Sequence, residues 1–155
     1  MPSVPQTSLL SQHVILVSAA LSPLGQAVCH HLATQGAHVV AADEDGGRVA
    51  IFASKLPGGA AHHLGLSMDM LDEDNLHTGL DTIQQRFGGV DGLVHLPFLL
   101  PAAAPEAADA AALTQALCAT ANSMALVTDV FAQAMAARGR GTLLFVCSPS
   151  PDAAA

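Results

Sequence analysis

The chain has 155 residues, 51% of them hydrophobic, with 13 acidic against five basic residues and a formal charge of −8. That length and hydropathy predict one globular domain with a substantial core rather than a disordered chain. Arg48, Arg86, Arg138, Arg140 and Lys55 are the only strong bases, which excludes a nucleic-acid backbone or an anionic membrane surface as partner. The sequence also holds no tyrosine and a single lysine, so no chemistry on a tyrosine is open to it.

Residues 1–12 read as a flexible arm with no basic residue and no long apolar run, unlike a secretory signal. His13 to Ser18 is a short apolar, β-branched run, so a buried strand. Ser22-Pro23 predicts an N-cap and a proline in the first turn of a helix that reaches Gln35, with Leu24, Val28 and Leu32 on one face and Gly36 as its stop. His38 to Ala42 is a second strand. After a turn at Asp43 to Gly47, Val49, Phe52 and Leu56 share a helical face, and Pro57-Gly58-Gly59 ends that helix. Ala61 to Ser67 is a weaker third strand. Leu76, Leu80, Ile83 and Phe87 mark an amphipathic helix from Leu71, and Val90 to Leu96 is a fourth strand.

A Pro/Ala-rich loop, Leu99 to Ala108, precedes a long helix from Ala110 to about Arg138. Leu113, Leu117, Met124, Val127, Phe131 and Met135 are its expected core stripe. Thr142 to Cys147 is a fifth strand, and residues 149–155 form a short tail. No stretch of about 20 residues is expected to cross a bilayer, since the richest, Leu99 to Ala121, is broken by Pro101, Pro105, Glu106 and Asp109. Cys29, Cys118 and Cys147 form no CxxC pair, which favours a reducing compartment, hence the cytoplasm. None of the eight histidines forms HExxH, an i, i+4 pair or a site with a CxxC, so no metal centre is expected. Cys147 reads as a small buried residue rather than a nucleophile.

Strands alternating with helices call for a three-layer α/β fold, a doubly wound, Rossmann-like parallel sheet spanning residues 13–148. Ligands of such sheets sit beyond the carboxyl ends of the strands. The residues to inspect are therefore Ser18 to Gly25, Asp43, Asp69, His95 to Phe98 and Ser148. Asp43 lies where a carboxylate can bind both ribose hydroxyls of an adenosine and repel a 2′-phosphate. It can equally serve as the start of a turn with Glu44 and Asp45.

The residues at these strand ends resemble the N-terminal part of the short-chain dehydrogenase/reductase family, from about His13 to Ser148. Ser18-Ala-Ala-Leu-Ser-Pro-Leu-Gly25 stands where the family has its TGxxxGxG turn. Gly36 to Asp43 resembles the second strand with its NAD-selecting aspartate. Ser67-Met68-Asp69-Met70 resembles the adenine-contacting stretch, and Gly141 to Ser148 the strand that ends in the catalytic serine. The resemblance implies a strand order of 3-2-1-4-5 and NAD, rather than NADP, as cofactor. Ser18, Leu24 and Gly25 would lie along the pyrophosphate turn, Asp43 at the adenosine ribose, and Asp69 and Met70 at the adenine. Leu96 stands at the NNAG segment and Ser148 is the surviving catalytic residue. Asn122 would take the place of a structural asparagine in the long helix.

The departures are equally specific. Ala19 and Pro23 replace two turn glycines, and His95-Leu96-Pro97-Phe98 replaces NNAG. The family's YxxxK would fall about a dozen residues after Ser148, beyond Ala155. The expectation is an incomplete or degenerate oxidoreductase domain. The alternative is a non-catalytic binding or assembly module that keeps the fold. Self-association is expected through the helix 110–138, or by another chain pairing with the apolar strand 142–147.

Overall fold

A computed structural model describes residues 8–97 and 110–147. The expected loop at Leu99 to Ala108, Ser148 and the tail 149–155 lie outside the described residues. The elements run β1 (Val14–Val17), α1 (Pro23–Thr34), β2 (His38–Asp43), α2 (Gly46–Ser54), β3 (Leu64–Ser67), α3 (Glu73–Phe87), β4 (Gly92–His95), α4 (Ala110–Ala137) and β5 (Thr142–Phe145). All strand pairs are parallel, in the order β3-β2-β1-β4-β5, with Leu16 beside both Val40 and Leu93. The doubly wound, Rossmann-like α/β sheet expected from the sequence is therefore the fold.

The two-residue period of a strand sorts the core into two layers. Val14, Leu16, Val40 and Ala42 face α3 and α4, where Leu76, Ile83, Val127 and Phe131 close over them. Ile15, Val17, Val39 and Ala41 face the opposite way, toward Cys29, Ala33, Val49 and Ala53 of α1 and α2. The helices are capped as their sequences suggest. Ser22 Oγ accepts from Gly25 N–H, Asp72 accepts from Asn75 N–H, and Gly88 ends α3 in the left-handed region at φ 82°.

Several expectations are corrected. The buried face of α1 is Gly25, Cys29 and Ala33, while Leu24 is exposed. Small residues win that face because the helix start lies directly on the first turn: a Cβ on Gly25 would sit 2.2 Å from the Ala19 carbonyl oxygen. The third strand begins only at Leu64, because the residues before it turn back on the Gly59 carbonyl, which accepts from the His62 and His63 N–H groups, and the His63 ring bonds Pro57 O. Along α4 the core stripe is Ser123, Val127, Val130, Phe131 and Met135, with Leu113 and Leu117 exposed. Asn122 is exposed too, one residue out of phase with the inward face. Cys147 is exposed, not buried. Finally, α4 is by length and mean hydropathy apolar enough to cross a bilayer. The broken stretch ends inside the helix, and the apolar residues run on to Ala137; the C-terminal half of α4 packs on the sheet.

Candidate functional site

A parallel sheet wound both ways from β1 brings the carboxyl ends of β1, β2, β3 and β4 together at one edge. Each ends in a polar residue held by a specific partner. At the β1 end Ser18 is buried, its N–H donating to Val94 O. Ala19 follows at φ 47°, a left-handed conformation that an L side chain rarely adopts. Ser22 Oγ donates to Ala19 O at 2.7 Å and accepts from Gly25 N–H at 3.0 Å. Pro23 at the helix start has no N–H to offer.

At the β2 end Asp43 reaches back to this turn. Its Oδ2 accepts from Leu21 N–H at 3.0 Å and its Oδ1 from Glu44 N–H at 2.9 Å. At the β3 end the Asp69 N–H donates to Asn75 Oδ1, and Asp69 Oδ1 accepts from Leu71 N–H, both at 2.8 Å. That pair shapes the chain where it leaves the sheet and leaves the carboxylate exposed.

At the β4 end His95 is 1% exposed and lies between two hydroxyls. Its Nδ1 is 2.9 Å from Ser18 Oγ, and its Nε2 is 3.1 Å from Ser123 Oγ on α4. The hydrogen pattern follows from the outer partners. Ser123 Oγ donates to Thr120 O, so it accepts from His95 Nε2–H. Nδ1 then accepts from Ser18 Oγ–H, while Ser18 Oγ itself accepts from Leu96 N–H at 2.8 Å. The imidazole is neutral in this chain of bonds. Burial without a compensating carboxylate pushes its pKa down to about 4. Phe145 of β5 meets the ring edge-on, with centroids 5.8 Å apart.

These strand ends enclose a cleft of about 160 Å³. Of the expected residues, Ser18, Asp43, Asp69, Met70 and Leu96 all line it, together with His95. Leu24 and Gly25 do not line it; they stand at the start of α1, one exposed and one buried. Ser148 lies outside the described residues. Ser123, Thr120, Ala116 and Ala119 of α4 complete the wall and were not anticipated. Ser123 was detectable, since it lies four residues before Val127 on the inward face. Among the described residues no group of three or more His, Cys, Asp or Glu side chains converges as a metal site.

Comparison with known proteins bears on this geometry. Residues 13–153 match the short chain dehydrogenase family. The chain is 31% identical over 86 residues to a D-threitol dehydrogenase of Mycolicibacterium smegmatis, covering 56% of this chain and 33% of that one. It is 31% identical over 97 residues to the (2S)-[(R)-hydroxy(phenyl)methyl]succinyl-CoA dehydrogenase subunit BbsC of Thauera aromatica, covering 63% of this chain and 39% of that one. It thus spans between a third and two-fifths of the length of these relatives. A short-chain type dehydrogenase/reductase from Mycobacterium marinum superposes with a TM-score of 0.79 at 22% identity, over 92% of this chain and 58% of that one. A second from Burkholderia xenovorans superposes at 0.76 and 24% identity, over 90% and 57%. Nearly the whole described sheet is shared with these structures, and the sequence match runs almost end to end: the chain belongs to the short-chain dehydrogenase family.

Proposed function

We propose that this chain provides the nicotinamide-dinucleotide site of an oxidoreductase that moves hydride between the nicotinamide and a carbonyl or hydroxyl substrate, with NAD preferred to NADP. The observation that carries this reading is the charge of the cleft. Asp43, Glu44 and Asp69 line it, and none of the five strong bases does. Each Asp43 oxygen takes one backbone N–H and keeps acceptor capacity for a ribose hydroxyl. A 2′-phosphate there would meet carboxylates with no cation to offset them. Asp69 and Met70 would flank the adenine, and Ser18 and Leu96 the middle of the cleft. At the pyrophosphate the fit is poorer. Ala19 keeps the left-handed turn, but Pro23 has no N–H and Ser22 occupies that of Gly25. Binding therefore rests mainly on the adenosine half. Ser148 would position substrate, and the proton-transferring partner would come from residues beyond this sequence.

Calorimetric titration with NADH and NADPH tests the reading. NADH should bind, NADPH should bind at least tenfold more weakly, and Asp43→Asn should narrow that gap. Equal affinity for both, or no binding of either at millimolar ligand, would overturn it.

A second reading, a non-catalytic assembly module, is favoured by Leu113, Leu117 and Leu144, which are 39%, 60% and 51% exposed on α4 and β5. Association through α4 or along β5 accords with either reading, as does residence in a reducing, cytoplasmic setting with its three free cysteines. Chains that associate but bind no dinucleotide would favour the second.

A further inference from the structure

The end of the sheet opposite the cleft carries a second buried histidine that this function does not use. His63 is 3% exposed and lies just before β3. Its Nδ1 is 3.1 Å from the Val39 N–H of β2, and its Nε2 is 2.7 Å from Pro57 O. A backbone N–H can only donate and a carbonyl can only accept. Nδ1 must therefore be bare and Nε2 must carry the proton. We propose that His63 is a proton-sensitive latch fastening the loop 57–63 and the β3 edge to β2, and that its protonation loosens both this edge and, through β3, the acidic side of the cleft. The second clause rests on the dinucleotide reading; the first does not.

Protonation would set a ring N–H against the Val39 N–H across that 3.1 Å contact, so the bond must break. The surroundings add to this. From β2, His38 stacks on His62 with centroids 5.6 Å apart and bonds through Nδ1 to His62 O. From α3, Arg86 donates to Ala60 O at 2.6 Å and lies 3.4 Å from His63 O. Lys55 ends α2 two residues before Pro57. All of these are basic side chains, and among the described residues no carboxylate is paired with any of them. Burial lowers the His63 pKa first of all; His62 and His38 lower it further, against the opposing pull of the Pro57 carbonyl.

The latch acts at the sheet edge, where β3 pairs with β2 alone. β3 is a four-residue edge strand with no fully buried side chain. Its other end leads straight to the site. Ser67 Oγ donates to Glu44 O, Met68 N–H donates to Asp43 O, and Asp69 follows in the cleft wall.

Amide hydrogen exchange at pH 7.5 and 5.5, corrected for intrinsic chemistry, tests the latch. Val39 and residues 58–66 should lose about tenfold protection at pH 5.5, the worth of one such hydrogen bond. His63→Asn keeps an acceptor near the Nδ1 position and cannot be protonated, so its protection should not change with pH. No loss at Val39 and residues 58–66, or the same pH response there in His63→Asn, overturns the proposal. If that variant does not fold, ring titration of the wild-type chain decides. His63 should titrate below an ordinary histidine with the Val39 amide moving in step, and an ordinary titration with a still amide refutes it. NADH affinity measured at the same two pH values should fall in the wild type and not in His63→Asn. A pH-dependent edge in a chain that binds no NADH at either pH would sustain the latch and refute only the dinucleotide reading.

Discussion

His95 and His63 sit at opposite ends of the same sheet, both buried and both neutral, yet they are held in different ways. His95 lies between two hydroxyls, which can rotate to donate or accept. His63 lies between a fixed donor and a fixed acceptor. Depth of burial in the strand–helix core takes the His95 pKa down to about 4. The rigidity of the partners decides instead what is lost when the proton arrives. His95 is wedged among β1, β4 and α4, so admitting a charge there requires the centre of the molecule to open. His63 can be charged by opening one edge.

The largest expected effect sharpens this contrast. The folded pKa of His95 lies below the value of 6.5 expected in the unfolded chain, so the unfolded state takes up the proton first. Above that value the group contributes nothing to pH dependence. As pH falls from 6.5 to 4, folding should lose about 3 kcal/mol, at about 1.4 kcal/mol per pH unit. Urea unfolding at pH 7, 5.5 and 4 measures the slope, and His95→Asn should flatten most of it. A wild-type stability that does not change over this range would remove the distinction between the two histidines.

The two ends also differ in charge. Arg86 serves the amino end, and Arg138 and Arg140 meet Asp91 there at 3.2 and 3.0 Å. Asp91 is only 6% exposed and accepts from the Val14 N–H at the start of β1. Asp91→Ala should cost about 2 kcal/mol, most of it from the stranded Val14 N–H, because Arg140 is 65% exposed and can turn to solvent. Thermal melts at low and high salt separate the parts: most of the loss should persist at high salt. A loss that vanishes in salt would make the ion pairs, rather than the backbone anchor, the fastening of this end.

Much of this architecture was legible because it follows from periodicity. Runs such as Val14–Val17 and the Leu76, Leu80, Ile83 spacing report their own burial, and Ser22, Gly36 and Gly88 mark element ends by local chemistry. Asp43 and Asp69 were legible from their place after a strand. What failed depended on the approach of one element to another. Leu24 looked like part of the inner face of α1, but the close contact of Gly25 with Ala19 puts the small residues innermost, with Val28 and Leu32 partly buried beside them. Leu113 and Leu117 share the helical phase of α4, yet they lie beyond the part of α4 that reaches the sheet. The bonding of His63 and His95 was illegible for a related reason. Val39, Pro57, Ser18 and Ser123 come from distant parts of the sequence, and only the folded chain brings them to the rings.

The smallest effect tests the carboxyl end at its most strained point. Ala19 occupies a turn position that resembles a family glycine and keeps that glycine's left-handed backbone, φ 47°. Its Cβ costs about 1–2 kcal/mol in this conformation. Ala19→Gly relieves that cost but gives back part of it through the greater freedom of glycine when unfolded. The net gain should be about 0.5 kcal/mol, a rise of a few degrees at most in the thermal midpoint. Elsewhere in a folded turn Ala→Gly is expected to destabilise, so the sign of the change is the informative quantity. The same substitution removes the methyl group from the approach to the start of α1. NADH affinity should therefore rise together with stability, whereas a gain in stability alone would mean that the turn is built for the fold and that the pyrophosphate lies elsewhere.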